Sequence, residues 1–139
     1  MKIKIIKLAL ILIVAELITF ADADKGYAEN WKAYGVSDNY SAFYDAESIL
    51  TPSEHFVTVW AKWVFTEKGS NDFEKTFGLK GSFGLMLWEF NCKEKKAHRL
   101  SLTYYSNDKK VLHHSNSLSD WIFIGPGQMI EFLYKEVCK

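Results

Sequence analysis

Regular alternation of apolar and polar residues predicts that most of the chain forms a β-sheet. The clearest strand is His55–Thr66, which is rich in Val, Trp, Phe and Thr and contains no Gly or Pro. A second strand, Ser82–Cys92, is predicted to lie at the centre of the sheet. Successive side chains of a strand point to opposite faces. In the central strand one face carries Met86, Trp88, Phe90 and Cys92, and the other carries Phe83, Leu85, Leu87 and Glu89.

Shorter alternating segments predict further strands in the same sheet. These are Asn30–Gly35, Tyr40–Asp45, Ala97–Ser106 and Lys110–Ser115. Turn-forming residues separate them, namely Ser37-Asp38-Asn39, Lys93-Glu94-Lys95-Lys96 and Asn107-Asp108-Lys109. Two longer segments are predicted to be irregular. Ser48–Ser53 contains Pro52 and is predicted to be a connection, and Glu67–Gly81, with three glycines and mixed charge, is predicted to be a long loop.

The end of the chain carries helical rather than strand periodicity. Pro126 is suited to the first position of a helix. Ile130, Tyr134 and Cys138 follow at intervals of four and therefore lie on one side of that helix. The Cys138 sulfur is thus expected to point toward the sheet, on the face that carries Cys92. The fold class is α+β, an antiparallel sheet of five to six strands with a C-terminal α-helix packed on one face.

One helix is too small to cover both faces of such a sheet. About twelve helical residues span ~18 Å in length and ~10 Å in width, whereas five or six strands span roughly 24–29 Å. The opposite face, with Phe83, Leu85 and Leu87 as candidate members, is therefore expected to meet another surface. Two interpretations are a homodimer built face to face and a platform for a ligand.

The first 23 residues have the three parts of a secretory signal peptide. Lys2, Lys4 and Lys7 provide positive charge, Leu8–Ala15 is an unbroken apolar run, and Ala21-Asp22-Ala23 is a cleavage pattern. Residues 24–139 then form a single domain. The alternative is an uncleaved membrane anchor, although Glu16 interrupts an apolar stretch that is short for a membrane span. The cleavage region has no cysteine, so no stable membrane anchor is expected after cleavage.

Composition and charge narrow the class of function. Aromatic residues make up 16% of the chain, which favours a sheet-rich core, an interface or both. The full chain has a net charge of zero, and residues 24–139 have a net charge of about −1. A protein that binds nucleic acid would need a basic field, so this class is disfavoured.

The chain has only two cysteines, Cys92 and Cys138. In an oxidising compartment two cysteines most simply form a disulfide. A bond between them would close a loop of about 47 residues and remove roughly 4 kcal/mol of unfolded-state entropy. The alternatives are a zinc site, which would need added histidines, and a redox motif, although the C-x-x-C spacing is absent.

No arrangement of residues predicts catalysis, a cofactor or a metal. His113 and His114 are neighbours on a strand and so would point to opposite faces, which prevents them from chelating one ion. Asp45, Glu47 and Asp108 supply carboxylates, but nothing pairs them for acid–base chemistry. The glycine spacing matches no phosphate-binding loop. The protein is therefore predicted not to be an enzyme.

Two groups of side chains are candidate binding residues. The first is a basic cluster beside the central strand, formed by Lys93, Lys95, Lys96 and Arg99. It could contact an acidic protein, a glycan or lipid head groups, although charged turns are usually only solvated. The second group is aromatic and is represented by Trp60 and Trp88. Aromatic residues on strands more often belong to the core than to a ligand surface.

The order and spacing of several short motifs resemble the surface-adhesin protein E family of Gram-negative bacteria. The resemblance covers about residues 27–138. The matching features are Trp31-Lys32-Ala33-Tyr34, Tyr44-Asp45 followed by Ser48-Ile49, Val59-Trp60-Ala61-Lys62, Glu89-Phe90-Asn91-Cys92, Arg99 with Tyr105 and Asp108, Trp121 with Ile124, Pro126 and Gly127, and Leu133-Tyr134-Lys135-Glu136-Val137-Cys138.

This resemblance implies a curved antiparallel sheet, a C-terminal helix held by a Cys92–Cys138 disulfide, and a tendency to form homodimers. It also implies an exported protein of the periplasm, the cell surface or the surrounding medium, which binds a macromolecular partner such as a host matrix or envelope component. The alternative is a self-associating envelope protein without a role in host adhesion.

Overall fold

The computed structural model describes residues 29–139. The predicted signal peptide lies outside these residues. The described chain forms one antiparallel sheet and two α-helices, with a short 3₁₀ turn at Ala46–Ser48. The strands are β1 (Trp31–Val36), β2 (Tyr40–Asp45), β3 (Leu50–Ser53), β4 (Phe56–Phe65), β5 (Phe83–Asn91), β6 (Lys96–Tyr105), β7 (Val111–Ser115) and β8 (Ile122–Phe123). The helices are α1 (Glu67–Phe77) and α2 (Met129–Val137).

The sheet has eight strands, which is more than the five to six predicted. Six of them form the main path in the order β1-β2-β4-β5-β6-β7. β4 and β5 are central and pair along nearly their whole length, from Phe56 opposite Asn91 to Val64 opposite Phe83. The two further strands are short and lie beside the main path, where β3 pairs with β4 and β8 pairs with β6.

The two unpredicted strands carry weak sequence signals. β3 contains Pro52, which lacks a main-chain N–H and is therefore tolerated only where no partner strand needs that donor. All four of its residues are exposed, so it has no buried face to produce an alternating pattern. β8 has only two residues, and its pairing with Lys96 and Ala97 is set by tertiary structure.

The segment from Glu67 to Gly81 was predicted to be a loop, and this prediction is wrong because most of it forms α1. The hydroxyl oxygen of Thr66 accepts a hydrogen bond from the N–H of Gly69 and caps the start of the helix. Gly78 adopts the left-handed conformation and ends it, and its N–H donates to the carbonyl of Glu74. Two of the glycines that suggested a loop therefore lie in the first turn and at the C-cap.

Contacts with the β1–β2 turn hold the start of α1 in place. The N–H of Thr66 donates to the carbonyl of Asn39 over 2.9 Å, and the Lys68 ammonium donates to the Asn39 side chain over 2.8 Å. Gly69 lies so close to this turn that a Cβ atom there would overlap the Asn39 carbonyl. Glycine at position 69 is therefore required by close approach of two backbones, and not by a turn.

The C-terminal helix is shorter than predicted, because it begins at Met129 and not at Pro126. Gly127 has a positive φ of 78° and forms a turn before the helix. The Gln128 side chain accepts a hydrogen bond from the N–H of Gly125, which closes that turn. Main-chain geometry at Gly127 thus delays the start of the helix by three residues.

Both helices lie on the same side of the sheet, which is named the covered face. α2 packs over one end of this face, where Leu133 is fully buried and the Tyr134 ring lies 6.3 Å from that of Phe90. α1 packs over the other end, where Phe73 contacts Phe65 and Tyr104. The largest fully buried side chains are Phe90, Met86, Leu133 and Val59. The prediction that the face of β5 beneath the C-terminal helix carries Trp88 and Phe90 is confirmed by this packing.

Candidate functional site

The opposite side of the sheet carries large apolar side chains, and none of the described helices packs on it. It is named the open face. Trp60 and Val64, both on the central strand β4, are 38% and 37% exposed. Leu87, Leu85 and Phe83, on the adjacent stretch of β5, are half-buried. Strand alternation and register assign to the open face Trp31, Phe43, Thr58, Trp60, Lys62, Val64, Phe83, Leu85, Leu87, Thr103 and Tyr105.

A single lysine lies within the apolar part of the open face. In the strand register Lys62 is opposite Phe43 on one side and Leu85 on the other. Its ammonium nitrogen lies 5.5 Å from the ring centre of Trp31 and 5.2 Å from that of Phe83, within the range of cation–π attraction. Lys62 forms no ion pair with a carboxylate of residues 29–139. The ammonium group is therefore held by aromatic rings.

Aromatic pairing also makes this part of the open face rigid. The rings of Phe83 and Tyr105 stack at 4.7 Å with an angle of 12° between their planes. Because the two residues are directly opposite on β5 and β6, the stack spans the two strands. Rigid aromatic side chains on regular strands lose little conformational entropy on binding, which suits them to recognition.

The carboxylates on and beside this apolar region already have partners. Glu29 accepts a hydrogen bond from the indole N–H of Trp31 over 2.6 Å and does not pair with Lys62 within 4.0 Å. Asp45 accepts hydrogen bonds from the main-chain N–H groups of Asn30 and Glu47 at 3.0 and 3.1 Å. Glu89 lies 2.8 Å from the His98 ring nitrogen. Neither carboxylate pairs with Lys62 within 4.0 Å.

The connection before β8 covers one end of the open face. The Trp121 ring stacks on His98 at 3.7 Å and also meets the edge of Phe56 at 6.2 Å. Two hydrogen bonds between Ser119 and the backbone of Arg99 hold this connection to β6. The open face is therefore bounded at the Glu89 end and continues past Trp60 and Lys62.

The two aromatic candidates lie on different faces. Trp60 is on the open face, where it is accessible to a partner. Trp88 is on the covered face and is only 9% exposed. Its indole N–H has no hydrogen-bond acceptor among the described residues. The structure thus places Trp88 in the core, and the aromatic candidate surface depends on Trp60.

The four residues of the basic cluster do not form one surface. Lys95 turns toward α2 and pairs with Glu131 at 3.1 Å. Lys96 pairs with Glu94 at 3.2 Å, and its ammonium lies 4.7 Å from the Phe123 ring centre. Arg99 is opposite Trp88 in register and so faces the covered side. Within the described chain, Lys93 is the exposed member without an ion pair.

The disulfide between Cys92 and Cys138 is present and attaches the end of α2 to the end of β5. The cysteines are separated by 46 positions in sequence, and their Cα atoms lie 5.5 Å apart. The Tyr134 hydroxyl also donates to the carbonyl of Cys92 over 2.9 Å. The helix over the core is therefore held by a covalent link and a hydrogen bond at the same residue.

The other half of α2 is held by a carboxylate. Glu131 accepts hydrogen bonds from the Gly127 N–H at 3.3 Å, Lys95 at 3.1 Å and Lys135 at 3.3 Å. The Gly127 N–H, followed by the lysines, stabilises the charged form and lowers the pKa of Glu131. Lys95, one of the binding candidates, therefore has a structural contact in this conformation.

The remaining polar side chains do not converge. His114 contacts Thr103 and His113 faces Tyr104, so the pair points to opposite sides of β7. Within residues 29–139, no group of three His, Cys, Asp or Glu residues is placed to hold a metal ion. A cleft of about 250 Å³ lies beside α1, with Glu67, Lys80 and Asn107 on its walls. Its volume is below the usual range for small-molecule sites.

The sequence already contained the signal for the lysine, although sequence reasoning did not select it as a site residue. Alternation places Lys62 on the same face as Trp60 and Val64. Trp31 could not be assigned in the same way, because its contact with Lys62 spans β1, β2 and β4, and strand order is set by tertiary structure.

Neither helix of residues 29–139 is long and apolar enough to cross a membrane.

The fold and the open face together define the class of this protein. It is an α+β domain with an internal disulfide, in which helices cover one side of the sheet and leave the other side open. The chain belongs to the surface-adhesin protein E family, whose model matches residues 31–139.

Solved structures of one other protein are among those similar to this chain. Crystal form II of Haemophilus influenzae protein E is 12% identical over 81% of this chain and 96% of its own, with a TM-score of 0.43. The selenomethionine form of the same protein is 13% identical over 81% of this chain and 92% of its own, with a TM-score of 0.42. No curated protein sequence matches this chain significantly.

Proposed function

We propose that this protein is an exported, non-enzymatic binding protein that recognises a macromolecular partner through its open face. The observation that carries this proposal is the open face itself. Trp60 and Val64 are exposed on the central strand β4, and Leu87 and Phe83 lie opposite them on β5, with Leu85 between. An apolar area of this kind on a soluble domain usually marks an interaction surface.

The form of the surface favours a macromolecule over a small ligand. Small-molecule sites are concave and enclose most of their ligand. The open face is instead a layer of side chains standing on regular strands, with aromatic residues and a lysine at its centre. Aromatic side chains with a polar surround are typical of protein interfaces.

The scattered arrangement of the polar side chains agrees with a binding role without catalysis. A hydrolase would need two converging side chains with perturbed pKa values in a cleft. Asp108 has a lowered pKa, but the cause is its contacts with Ser106 and Lys110 in the exposed β6–β7 turn. The pKa of Asp72 is lowered by Lys68, with which it forms an i,i+4 pair on α1. Both shifts come from local contacts at the surface.

Export is supported by the family and by the sequence of residues 1–23. The family is described as surface adhesins, and the N-terminal pattern is that of a cleaved signal peptide. A disulfide is the expected state of two nearby cysteines in the periplasm or outside the cell. The cellular site that we propose is therefore the periplasm, the cell surface or the medium.

Binding to purified matrix proteins and to an outer-membrane fraction, measured on immobilised partners, tests the function. The double substitution Trp60→Ala and Leu85→Ser should abolish binding, because it removes the apolar centre of the face. A matched control is Lys32→Ala, at an exposed position of β1. If the double variant folds and binds as tightly as the unchanged protein, the open face is not the binding surface.

Self-association is the second candidate, because an apolar face can also be covered by another copy of the same chain. In that case the protein would sediment as a dimer at micromolar concentration, and Trp60→Glu would convert it to a monomer. A protein that remains monomeric while it binds one of the test partners would exclude this candidate.

A further inference from the structure

Lys62 is unusual because it places a positive charge within an apolar surface. Most exposed lysines extend into water beside other polar groups. Lys62 instead has Phe43 and Leu85 as cross-strand neighbours and the rings of Trp31 and Phe83 around its ammonium group. Removal of water from this face would leave the charge with aromatic contacts alone.

A partner that covers the open face must therefore supply a negative charge or leave the ammonium uncompensated. An uncompensated charge in a dry interface is strongly unfavourable, so a neutral apolar partner would bind poorly. A nucleic acid or an anionic membrane would need many basic residues. The open face offers one lysine in its apolar part, which fits a single carboxylate.

A second copy of this chain would have to place one of its own carboxylates beside Lys62. A two-fold axis through the face would bring a second Lys62 toward the first. The carboxylates that could compensate are Asp45, which accepts from Asn30 and Glu47, and Glu89, which pairs with His98. Glu29 is a third, and it accepts from the indole N–H of Trp31. Asp45 and Glu89 each keep an oxygen without a partner in these contacts, so a second copy is the competing occupant. A protein that sediments as a dimer, and whose dimer is lost in Lys62→Met, would overturn the inference that follows.

We propose that the open face binds an apolar polypeptide segment that carries an acidic side chain, and that this carboxylate pairs with Lys62. This inference rests on the proposed function and specifies the chemistry of its partner. Trp60, Val64 and Leu85 contact the apolar residues of the segment, and Lys62 selects for Asp or Glu between them. A carboxylate paired with a partly desolvated lysine gains affinity and fixes the register of the segment.

A random linear peptide library displayed on phage provides the test. Selection against the purified protein should enrich peptides in which Asp or Glu is flanked by apolar residues. The strongest peptide should bind Lys62→Met about tenfold or more weakly, since a charge-assisted contact is lost while an apolar stem of similar size is kept. Its Gln or Asn counterpart should bind the unchanged protein with a similar loss, and Lys32→Met should bind the original peptide normally.

The charge of the selected peptides should reverse when the charge at position 62 is reversed. Selection against Lys62→Glu is expected to enrich Lys and Arg at the same place. If peptides lose binding with Trp60→Ala but show no preference for a carboxylate, the inference about Lys62 is wrong and the open face remains the site. If the selected peptides are insensitive to both Trp60→Ala and Lys62→Met, the open face is not the site and the proposed function fails with the inference.

Discussion

The Tyr134 hydroxyl donates a 2.9 Å hydrogen bond to the main-chain carbonyl of Cys92, the residue whose sulfur is bonded to Cys138. Tyr134 and Cys138 are one helical turn apart, so α2 meets the end of β5 twice along the same side. These two contacts, together with the fully buried Leu133, fix the orientation of the helix over Phe90.

Removal of the disulfide should destabilise the protein more than removal of the hydrogen bond. Cys92→Ala with Cys138→Ala is expected to lower the free energy of unfolding by about 2–5 kcal/mol, because the unfolded chain regains the freedom of a long loop. Tyr134→Phe should lower it by about 0.5–1.5 kcal/mol. Denaturant titration measures both. Equal losses, or sulfurs that are alkylated in the unreduced native protein, would contradict this assignment.

The two tryptophans on opposite faces should respond differently to truncation. Trp88→Ala is expected to cost about 3–5 kcal/mol of stability, because it opens a cavity beneath the helices. Trp60→Ala should change stability by less than about 1 kcal/mol, because its side chain is already partly in water. Thermal melting of both variants tests the assignment of the two faces, and a reversed order of effects would overturn it.

Gly69→Ala should destabilise the protein by about 1–3 kcal/mol, although alanine favours helices over glycine. The added methyl group would overlap the Asn39 carbonyl and force α1 away from the β1–β2 turn. Asn71→Ala is a control in the same helix, where the exposed side chain should allow the usual small gain. A Gly69→Ala variant that is more stable than the unchanged protein would show that the contact is absent.

Acid should weaken the attachment of α2 through Glu131. Its folded-state pKa is lowered, so its contribution to stability is present above the unfolded-state pKa of 4.5 and is lost as the pH falls through the lower folded value. Glu131→Gln should therefore be less stable than the unchanged protein at pH 7, and the difference should shrink below about pH 4. Glu94→Gln, in the β5–β6 turn, is the control. A difference that is constant with pH would contradict the expectation.

Alkaline pH should destabilise the protein through Tyr34. Burial raises its pKa from 10.0 to about 12, although the hydrogen bond from the Trp63 indole acts in the opposite direction. The unfolded chain therefore ionises first, and stability is lost between about pH 10 and 12. Burial also raises the pKa values of Tyr40, Tyr44 and Tyr104. Absorbance titration of phenolate should therefore detect several late-ionising tyrosines, and Tyr34→Phe should lack the one that ionises near pH 12. Complete ionisation of the native protein near pH 10 would contradict the burial of this hydroxyl group.

The strands that were predicted correctly have two kinds of signal in their own residues. β4 and β5 combine a β-branched or aromatic composition with a turn at one end, before β4 and after β5. Their alternating pattern identifies the covered face before strand order is known. The turns are also local. Ser37 accepts hydrogen bonds from the N–H groups of Asn39 and Tyr40, which explains why Ser-Asp-Asn predicts a turn there.

The features that were missed depend on residues distant in sequence. Gly69 suggests a loop until Asn39 is known to be its neighbour, and Lys62 is an ordinary strand lysine until Trp31 and Phe83 are placed around it. The residues of the basic cluster also lie apart because of a distant partner, since Glu131 attracts Lys95 toward α2. Local sequence patterns describe the strands, whereas partners from other elements decide which charges are available.

The placement of α1 and α2 on one side also determines how the molecule would orient on a solid support. An apolar bead or film would adsorb the side that carries Trp60 and leave both helices toward the solvent. Lys75, on the exposed surface of α1, would then remain reachable by an amine-reactive dye, whereas Lys62 would be shielded. A sensor built from this protein should therefore be tethered through α1, so that the sheet surface points toward the sample.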